Sequence, residues 1–295
     1  MNGIPMPAET VDQRILEKYD ELSPQQRRLA DVVLETGGDL ARWTASELAE
    51  RAGVSKATAA RLFQALGYSD FEEARRVARQ SLPWGSPLRG LGEAGPPGER
   101  DRAQTHFARD MENLRRTEAA LDREAMQRAA EWLASSNTIW VVGFRNSFAL
   151  AQYARSVLHS LKADVRFVPT PAFELAEDLS AMRGGDAMLV IGFRRRPNAL
   201  VEILNVAAEC GVGSVLLTDL SAALTPRLAG ITLRCHTRGP GPFDSYAAAM
   251  SVLNLLMSQV SEELKTAASQ RLSRIEDLHS RLGDLRAPGQ NEDKD

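Results

Sequence analysis

The chain has 295 residues, enough for about two domains at ~150 residues each. Hydrophobic residues make up 43% and charged residues 25%, the balance of an ordinary globular protein. A formal net charge of −3 excludes a globally basic nucleic-acid binder, so any nucleic-acid surface has to be local.

Residues 1–82 read as helices only. Val11 to Leu22 is a first helix. Ser23-Pro24 supplies an N-cap and a first-position proline for the next, which runs toward Thr36 and stops at Gly37-Gly38. Thr44 caps a short helix through Ala52, with Glu47 at the capping-box position. Gly53-Val54 turns the chain, Ser55 caps a helix to about Leu66, and Gly67 ends it. Ser69 or Asp70 starts one more, through Arg79. Residues 83–100, PWGSPLRGLGEAGPPGER, read as a flexible linker and the clearest domain boundary.

Beyond the linker two amphipathic helices are expected, roughly Arg102–Thr117 and Arg123–Ser135. Strand–helix alternation follows. TIWVVG (138–143) precedes a helix Ser147–Leu161, and DVRFV (164–168) precedes a helix Pro171–Ala181. AMLVIG (187–192) precedes a helix Pro197–Cys210. SVLLTD (214–219) and ITLRC (231–235) complete the set before a long helix from about Ser245. Short apolar runs between helices imply a parallel sheet buried on both faces, an αβα sandwich over residues 101–285, with a polar tail at 286–295. Cys210 and Cys235 lack metal-ligand spacing and read as buried, reduced thiols. No basic–apolar leader precedes the first helix, and no apolar run approaches the ~20 residues of a membrane span. A cytoplasmic protein without a membrane partner is the expectation.

The segment ASELAERAGVSKATAARLFQALG (45–67) is the sharpest motif. A short helix, a turn at Gly53 and a second helix make a helix-turn-helix, with Ala49 small where the helices pack, Val54 beneath the turn, and Leu62 and Leu66 facing the core. That arrangement leaves Ser55, Lys56, Thr58 and Arg61 on the N-terminal half of the second helix, residue types that reach base edges and phosphates in a major groove. From Arg51 to Gly67 there is no Asp or Glu, against three cations. A basic stripe on a near-neutral domain suits a modest-affinity reader of double-stranded operator DNA that works as a dimer.

The stretch LSPQQRRLADVVLETGGDLARWTASELAERAGVSKATAARLFQALGYSDFEEARRVARQ (22–80) resembles the N-terminal domain of RpiR-type bacterial transcriptional regulators. The resemblance covers the opening leucine-serine-proline, the stretch SELAERAGVS, the recognition helix and the LGYSDFEEA continuation. It implies a multidomain chain, an all-α helix-turn-helix domain followed by an α/β sugar isomerase (SIS) domain that senses a ligand. Residues 128–265 look like that second domain.

In an open parallel sheet, ligands sit beyond the carboxyl ends of the strands. Those ends carry GFRNS (143–147), GFRRRPN (192–198) and TDLSAALTP (218–226). The candidate ligand-binding residues are Gly143, Arg145, Asn146, Ser147, Arg194, Arg195, Asn198, Thr218 and Asp219. Ser147, Asp244 and Ser245 also read as helix caps. Family members that bind sugar phosphates resemble one another in a glycine-x-glycine-x-serine first loop and a hydroxyl-rich third loop. This chain has Arg145 in place of the second glycine, and Arg194, Arg195 and Arg196 where hydroxyls are expected. It is similar to a subgroup with an arginine-bearing third loop and a PFDS-like element, here residues 242–245.

Three roles are open to the arginines. They bind an anionic ligand directly, as a guanidinium fork pairs well with phosphate or carboxylate. Or one or two do so while another pairs with Asp219 or Asp244. Or they lie at a subunit interface or in solvent. Enzyme chemistry is a weaker expectation. Aldose–ketose isomerisation needs a positioned base, and of His106, His159, His236 and His279 only His236 follows a strand. Glu174 and Glu177 lie on the helix after the second strand and could approach the site, but so could any solvated helix carboxylate. No catalytic residue, metal site or cofactor is expected.

The favoured reading is a ligand-responsive regulator of a carbohydrate or related catabolic operon, sensing a sugar-phosphate or sugar-acid-like anion. The alternative is a sugar-phosphate isomerase or binding protein with a vestigial reader. A homodimer or homotetramer is implied. Val252, Leu255, Leu256, Val260 and Leu264 within Ser245–Leu282 have core or dimer spacing, and Arg271–Leu285 reads as a segment that crosses to a partner.

Overall fold

The computed structural model describes residues 11–35, 40, 43–79, 102–170, 175–222 and 224–283. The linker at 83–100 and the tail at 286–295 lie outside them. Among its described residues the first domain has the α-helices α1 (Val11–Lys18), α2 (Pro24–Glu35), α3 (Ala45–Arg51), α4 (Lys56–Ala65) and α5 (Phe71–Arg79). Helix α1 is shorter than its apolar pattern, because the chain tightens into a 3-10 turn at Tyr19–Glu21 before reaching Leu22.

Local signals set the other boundaries. Thr44 Oγ1 accepts from Glu47 N–H at 3.2 Å and Glu47 Oε2 accepts from Thr44 N–H at 2.7 Å, a reciprocal capping box. That bond holds the Glu47 carboxyl below its usual range. Ser55 Oγ accepts from Thr58 N–H at 3.1 Å and starts α4. Gly67, at φ +84°, lets Tyr68 N–H reach back to the Phe63 carbonyl and close it. Asp70, not Ser69, caps α5, accepting from Glu73 N–H at 2.8 Å. Ile15, Leu29, Val33, Leu48, Leu62, Phe63 and Leu66 fill the core, and Phe63 meets Phe71 edge to face at 5.1 Å.

The second domain opens with α6 (Arg102–Ala120) and α7 (Arg123–Ser135). Its core sheet has strands β1 (Ile139–Gly143), β2 (Val165–Val168), β3 (Ala187–Gly192), β4 (Gly213–Asp219) and β5 (Ile231–Cys235), all parallel in the order β2-β1-β3-β4-β5. The connecting helices are α8 (Asn146–Leu161), α9 (Leu175–Ser180), α10 (Ala199–Glu209) and the short α11 (Thr225–Leu228). Helices α12 (Ala247–Leu264) and α13 (Thr266–Leu282) follow.

Alternate strand residues feed two cores. Ile139, Val141, Leu189, Ile191, Val215, Leu217 and Leu233 pack with α7, α8 and α12, whereas Trp140, Val142, Met188, Val190 and Leu216 pack with Leu200, Ile203, Leu204 and Ala207 of α10. Both faces are thus covered, as expected of an αβα sandwich. Strands β3 and β5 have the boundaries read from the sequence, and β4 begins one residue earlier, at Gly213. A Cβ at Gly213 would stand 2.9 Å from the Trp132 ring, so strand and helix approach this closely only with glycine there.

The long C-terminal helix is two helices, broken at Lys265 with φ +48°. Helix α10 starts at Ala199 rather than Pro197, and α12 at Ala247 rather than Ser245. The expected start of the Pro171–Ala181 helix lies outside the described residues. Cys210 and Cys235 are both free thiols, Cys235 buried and Cys210 half-buried. Among the described residues no helix is long and apolar enough to cross a membrane.

The helix-turn-helix domain, here the reader, docks on the α/β domain through opposite charges. Arg116 of α6 donates to Asp20 Oδ2 at 2.9 Å and to the Glu17 carbonyl at 3.3 Å. Arg238 pairs with Glu17, and His236 Nε2 lies 3.5 Å from Asp20. Tyr19 Oη donates to Asp31 Oδ1 at 2.6 Å, and the charges of Arg234 and Arg227 reach Asp31. Leu220, just past β4, completes the reader's apolar cluster.

Candidate functional site

On the reader, α4 presents two faces. Ala59, Leu62, Phe63 and Leu66 are buried, while Ser55, Lys56, Ala57, Ala60, Arg61 and Gln64 are exposed. Thr58 corrects the sequence reading. It is buried, and its hydroxyl lies 3.0 Å from Ser55 Oγ and 3.4 Å from Gln25 Oε1, so it ties α4 to α2 instead of facing a groove. Arg51 is also engaged locally, its guanidinium 5.5 Å from the Trp43 ring centroid. The exposed cations of this face are therefore Lys56 and Arg61.

In the α/β domain the three arginines of the β3 loop have separate fates. Arg194 Nη1 donates to Asp244 Oδ1 at 2.9 Å. Arg196 folds back under the loop. It donates to Gly192 O at 2.8 Å, to Thr218 Oγ1 at 3.1 Å, to Ser221 Oγ at 3.2 Å and to Asp219 Oδ1 at 2.8 Å. Arg195 stands exposed, at φ +62°. The ion-pairing half of the second sequence alternative therefore holds for Arg194 and Arg196.

Asp219 is the centre of this knot. Its Oδ2 accepts from Arg194 N–H at 2.6 Å, and its Oδ1 accepts from Ser221 N–H at 2.7 Å and from the Ser221 hydroxyl. Burial works against the carboxylate, but the Arg196 guanidinium and these hydrogen bonds outweigh it and hold Asp219 below its usual range. Asp244 goes the other way. Burial pushes it up, the Arg194 charge opposes that, and the Asp219 charge reinforces it.

A cleft of about 210 Å³ opens beside the knot. Arg145, Asn146, Ser147, Arg194, Arg195, Arg196, Phe243, Asp244 and Tyr246 are among its lining residues. The structure thus brings five of the expected residues to one cleft: Arg145, Asn146, Ser147, Arg194 and Arg195. Four others do not line it. Asn198 is exposed at the start of α10. Thr218 is buried and donates to Gly192 O at 2.5 Å, and Asp219 is consumed by its partners. Gly143 serves packing, since a Cβ there would stand 2.4 Å from Ala151 Cβ and 2.7 Å from Ser147 O.

Ser147 is not a cap. It lies inside α8, and its buried hydroxyl accepts from Phe193 N–H at 3.1 Å, latching the first loop to the third. Arg145 occupies the N-cap position of α8 at φ +55°, ψ −126°, without a side-chain cap. Neither Arg145 nor Arg195 has a side-chain hydrogen-bond or ion-pair partner among the described residues. Sequence reading offered an arginine–Asp219 pair without saying which arginine makes it, and it missed Tyr246, which hydrogen-bonds the Asn146 side chain. No group of His, Cys, Asp and Glu among the described residues could hold a metal ion.

Residues 10–82 match the helix-turn-helix domain of the rpiR family, and residues 132–259 match the SIS domain. Together with the geometry, these define a helix-turn-helix regulator with an appended SIS domain. The HexR transcriptional regulator of Pseudomonas aeruginosa is 26% identical over 277 residues, spanning 90% of this chain and 94% of the relative. The chain belongs to the RpiR family of DNA-binding transcriptional regulators. The sugar isomerase domain of an RpiR transcription factor from Sphaerobacter thermophilus superposes with a TM-score of 0.57 at 28% identity, covering 60% of this chain and 99% of that one. Vibrio vulnificus NanR, complexed with ManNAc-6P, shares the fold with a TM-score of 0.56 at 19% identity, covering 91% of this chain and 97% of that one.

Proposed function

We propose that this regulator is a sensor of a small anionic carbohydrate derivative, a phosphorylated or acidic sugar, that binds the arginine-lined cleft and alters operator binding. The observation that carries this reading is the pair Arg145 and Arg195. Both are exposed guanidiniums on the cleft wall, both lack an internal partner among the described residues, and both sit at positive φ. Non-glycine residues in such conformations cost about 1–3 kcal/mol and cluster at ligand clamps. Arg194 and Arg196 have carboxylate partners, so the uncompensated charge of the cleft lies at Arg145 and Arg195. The cleft is smaller than the ~300–1,000 Å³ of drug-sized sites, which suits a small metabolite. The ManNAc-6P carried by the Vibrio relative is of the same chemical class.

On the DNA side, Ser55, Lys56 and Arg61 contact phosphates or base edges, with Ala57, Ala60 and Gln64 on the same exposed face. Paired half-sites require a homo-oligomer, and the protein works in the cytoplasm, where its operator is. The effector is bound and not turned over. The one carboxylate on the cleft wall among the described residues, Asp244, is committed to Arg194.

Thermal unfolding of the full chain against phosphorylated, carboxylated and uncharged sugars tests the reading. A ligand that binds only the native state stabilises it by RT ln(1 + [L]/Kd), about 2.7 kcal/mol at a hundredfold excess over Kd. A shift with anionic sugars, lost in Arg145→Ala and Arg195→Ala, is expected. A shift equal for charged and uncharged sugars, or none across the panel, removes the anion-sensor reading.

A further inference from the structure

The cleft and the reader meet in one three-residue segment. Asp219 holds the backbone of Arg194 and the guanidinium of Arg196, both on the cleft wall. Leu220, the next residue, is 6% exposed and belongs to the reader's apolar cluster, whose other buried members all lie between Val11 and Ala74. Its carbonyl accepts from Arg234 Nη1 at 3.2 Å. Arg234 is also within electrostatic reach of Tyr19 and Asp31 on the reader. Ser221 closes the segment on Asp219 through its N–H and hydroxyl.

We infer that Asp219-Leu220-Ser221 couples the cleft to the reader: a ligand that draws Arg194 or Arg196 away from Asp219 loosens the segment and unseats Leu220 from the reader. This rests on the reading of the cleft as the effector site. A buried carboxylate does not tolerate losing its partners, so the segment rearranges instead of relaxing in place. A packed apolar side chain has discrete seats, so a small displacement at Asp219 becomes a change of seat at Leu220. By linkage, reader docking and ligand affinity then change each other by the same factor.

The remaining docking contacts suit a reversible seat. Arg116, Arg238 and Arg234 on the sensor face Glu17, Asp20 and Asp31 on the reader, and most of these side chains are partly exposed. Exposed pairs of this kind are weak, roughly 0–1 kcal/mol each. Leu220 is the apolar anchor among them, and it is the member tied to the cleft.

The test needs no effector. Amide hydrogen exchange is measured on the full chain for the wild type, Leu220→Ala, Arg196→Gln, Arg196→Lys and Arg195→Ala, with circular dichroism to verify folding. Arg196→Gln is expected to raise exchange in residues 15–22 at least threefold, matching Leu220→Ala, while Arg195→Ala leaves it unchanged. If Arg196→Gln unfolds the sensor domain, Arg196→Lys decides, since it keeps the charge and loses the fork. Exchange that rises in Leu220→Ala but stays at wild-type level in the decisive Arg196 variant overturns the coupling. No rise in Leu220→Ala overturns it as well, because Leu220 then does not seat the reader. A flat response in the sugar panel removes the anion reading alone and leaves these results standing.

Discussion

Arg145 holds a backbone conformation, φ +55° and ψ −126°, that belongs to glycine. Replacing it with glycine relieves about 1–3 kcal/mol of backbone strain. The added freedom of glycine in the unfolded chain takes back about 0.5–1 kcal/mol. The exposed guanidinium has no partner to lose among the described residues, so the balance favours Arg145→Gly by about 1 kcal/mol. For a domain of this size that is a rise in Tm of about 2–4 °C. Arg145→Ala is the control. It removes the charge but keeps the Cβ, so it gains no comparable stability. Thermal and urea unfolding of the ligand-free chain separate the two variants, and both variants should lose the response to anionic sugars. A lower Tm for Arg145→Gly would refute the strain argument. An equal gain in both variants would trace the effect to repulsion between Arg145 and Arg195. A gain with undiminished anion response would show that the strain serves something other than ligand binding.

Three further outcomes are expected. Asp219→Asn leaves the Arg196 guanidinium without its carboxylate and destabilises the protein by about 3–5 kcal/mol at neutral pH. Because the folded-state pKa of Asp219 is depressed, its contribution is complete above the ordinary aspartate value, roughly 3.9, and is lost as pH falls below it. Urea unfolding of wild type and variant should converge at acid pH, and a gap independent of pH would contradict the assignment. On the reader, Lys56→Ala and Arg61→Ala each lower DNA affinity and flatten its log–log salt dependence by about 0.9 for each phosphate no longer neutralised. Thr58→Ala instead lowers stability by about 1 kcal/mol without changing base preference. A change of operator preference in Thr58→Ala, measured on a randomised-site library, would return that residue to the DNA-facing set.

The reader was legible because its signals are local. Thr44 and Glu47, Ser55, and Gly67 each announce a helix end within four residues, and the structure uses all of them. The strands were legible because parallel strands buried on both faces become short apolar runs. The cleft was legible as a place but not as a wiring diagram. Arg194 reaches Asp244 and Arg196 reaches Asp219 across 50 and 23 positions of sequence, and nothing local says which arginine pairs and which stands open. Gly143 reads like a ligand-loop glycine, yet only the packing of α8 shows that it is kept for closeness to Ala151. Thr58 looked exposed because threonine is polar, while its position one turn before Leu62 puts it on the inner face. The break at Lys265 carries no glycine or proline to announce it, and Leu220 sits in the short stretch LSAAL (220–224), which has neither helix nor strand periodicity. Helix α6 inverts the usual rule. It buries Asn113 and Thr117 and exposes Phe107 and Met111, so its hydrophobic pattern points away from its own core.

The docking of the reader also sorts its charge. Glu17, Asp20 and Asp31 lie on the side that meets the sensor domain, whereas Lys56 and Arg61 stand on exposed surface. A domain with little net charge thereby acquires a direction. Arg116, Arg238 and Arg234 match those carboxylates in the docked molecule, whereas Lys56 and Arg61 keep their charge at the surface, so in the field of a phosphate backbone the recognition-helix side is drawn in before the two surfaces touch. Such self-orientation raises the fraction of productive encounters without strengthening the final complex, and it fades as ionic strength rises.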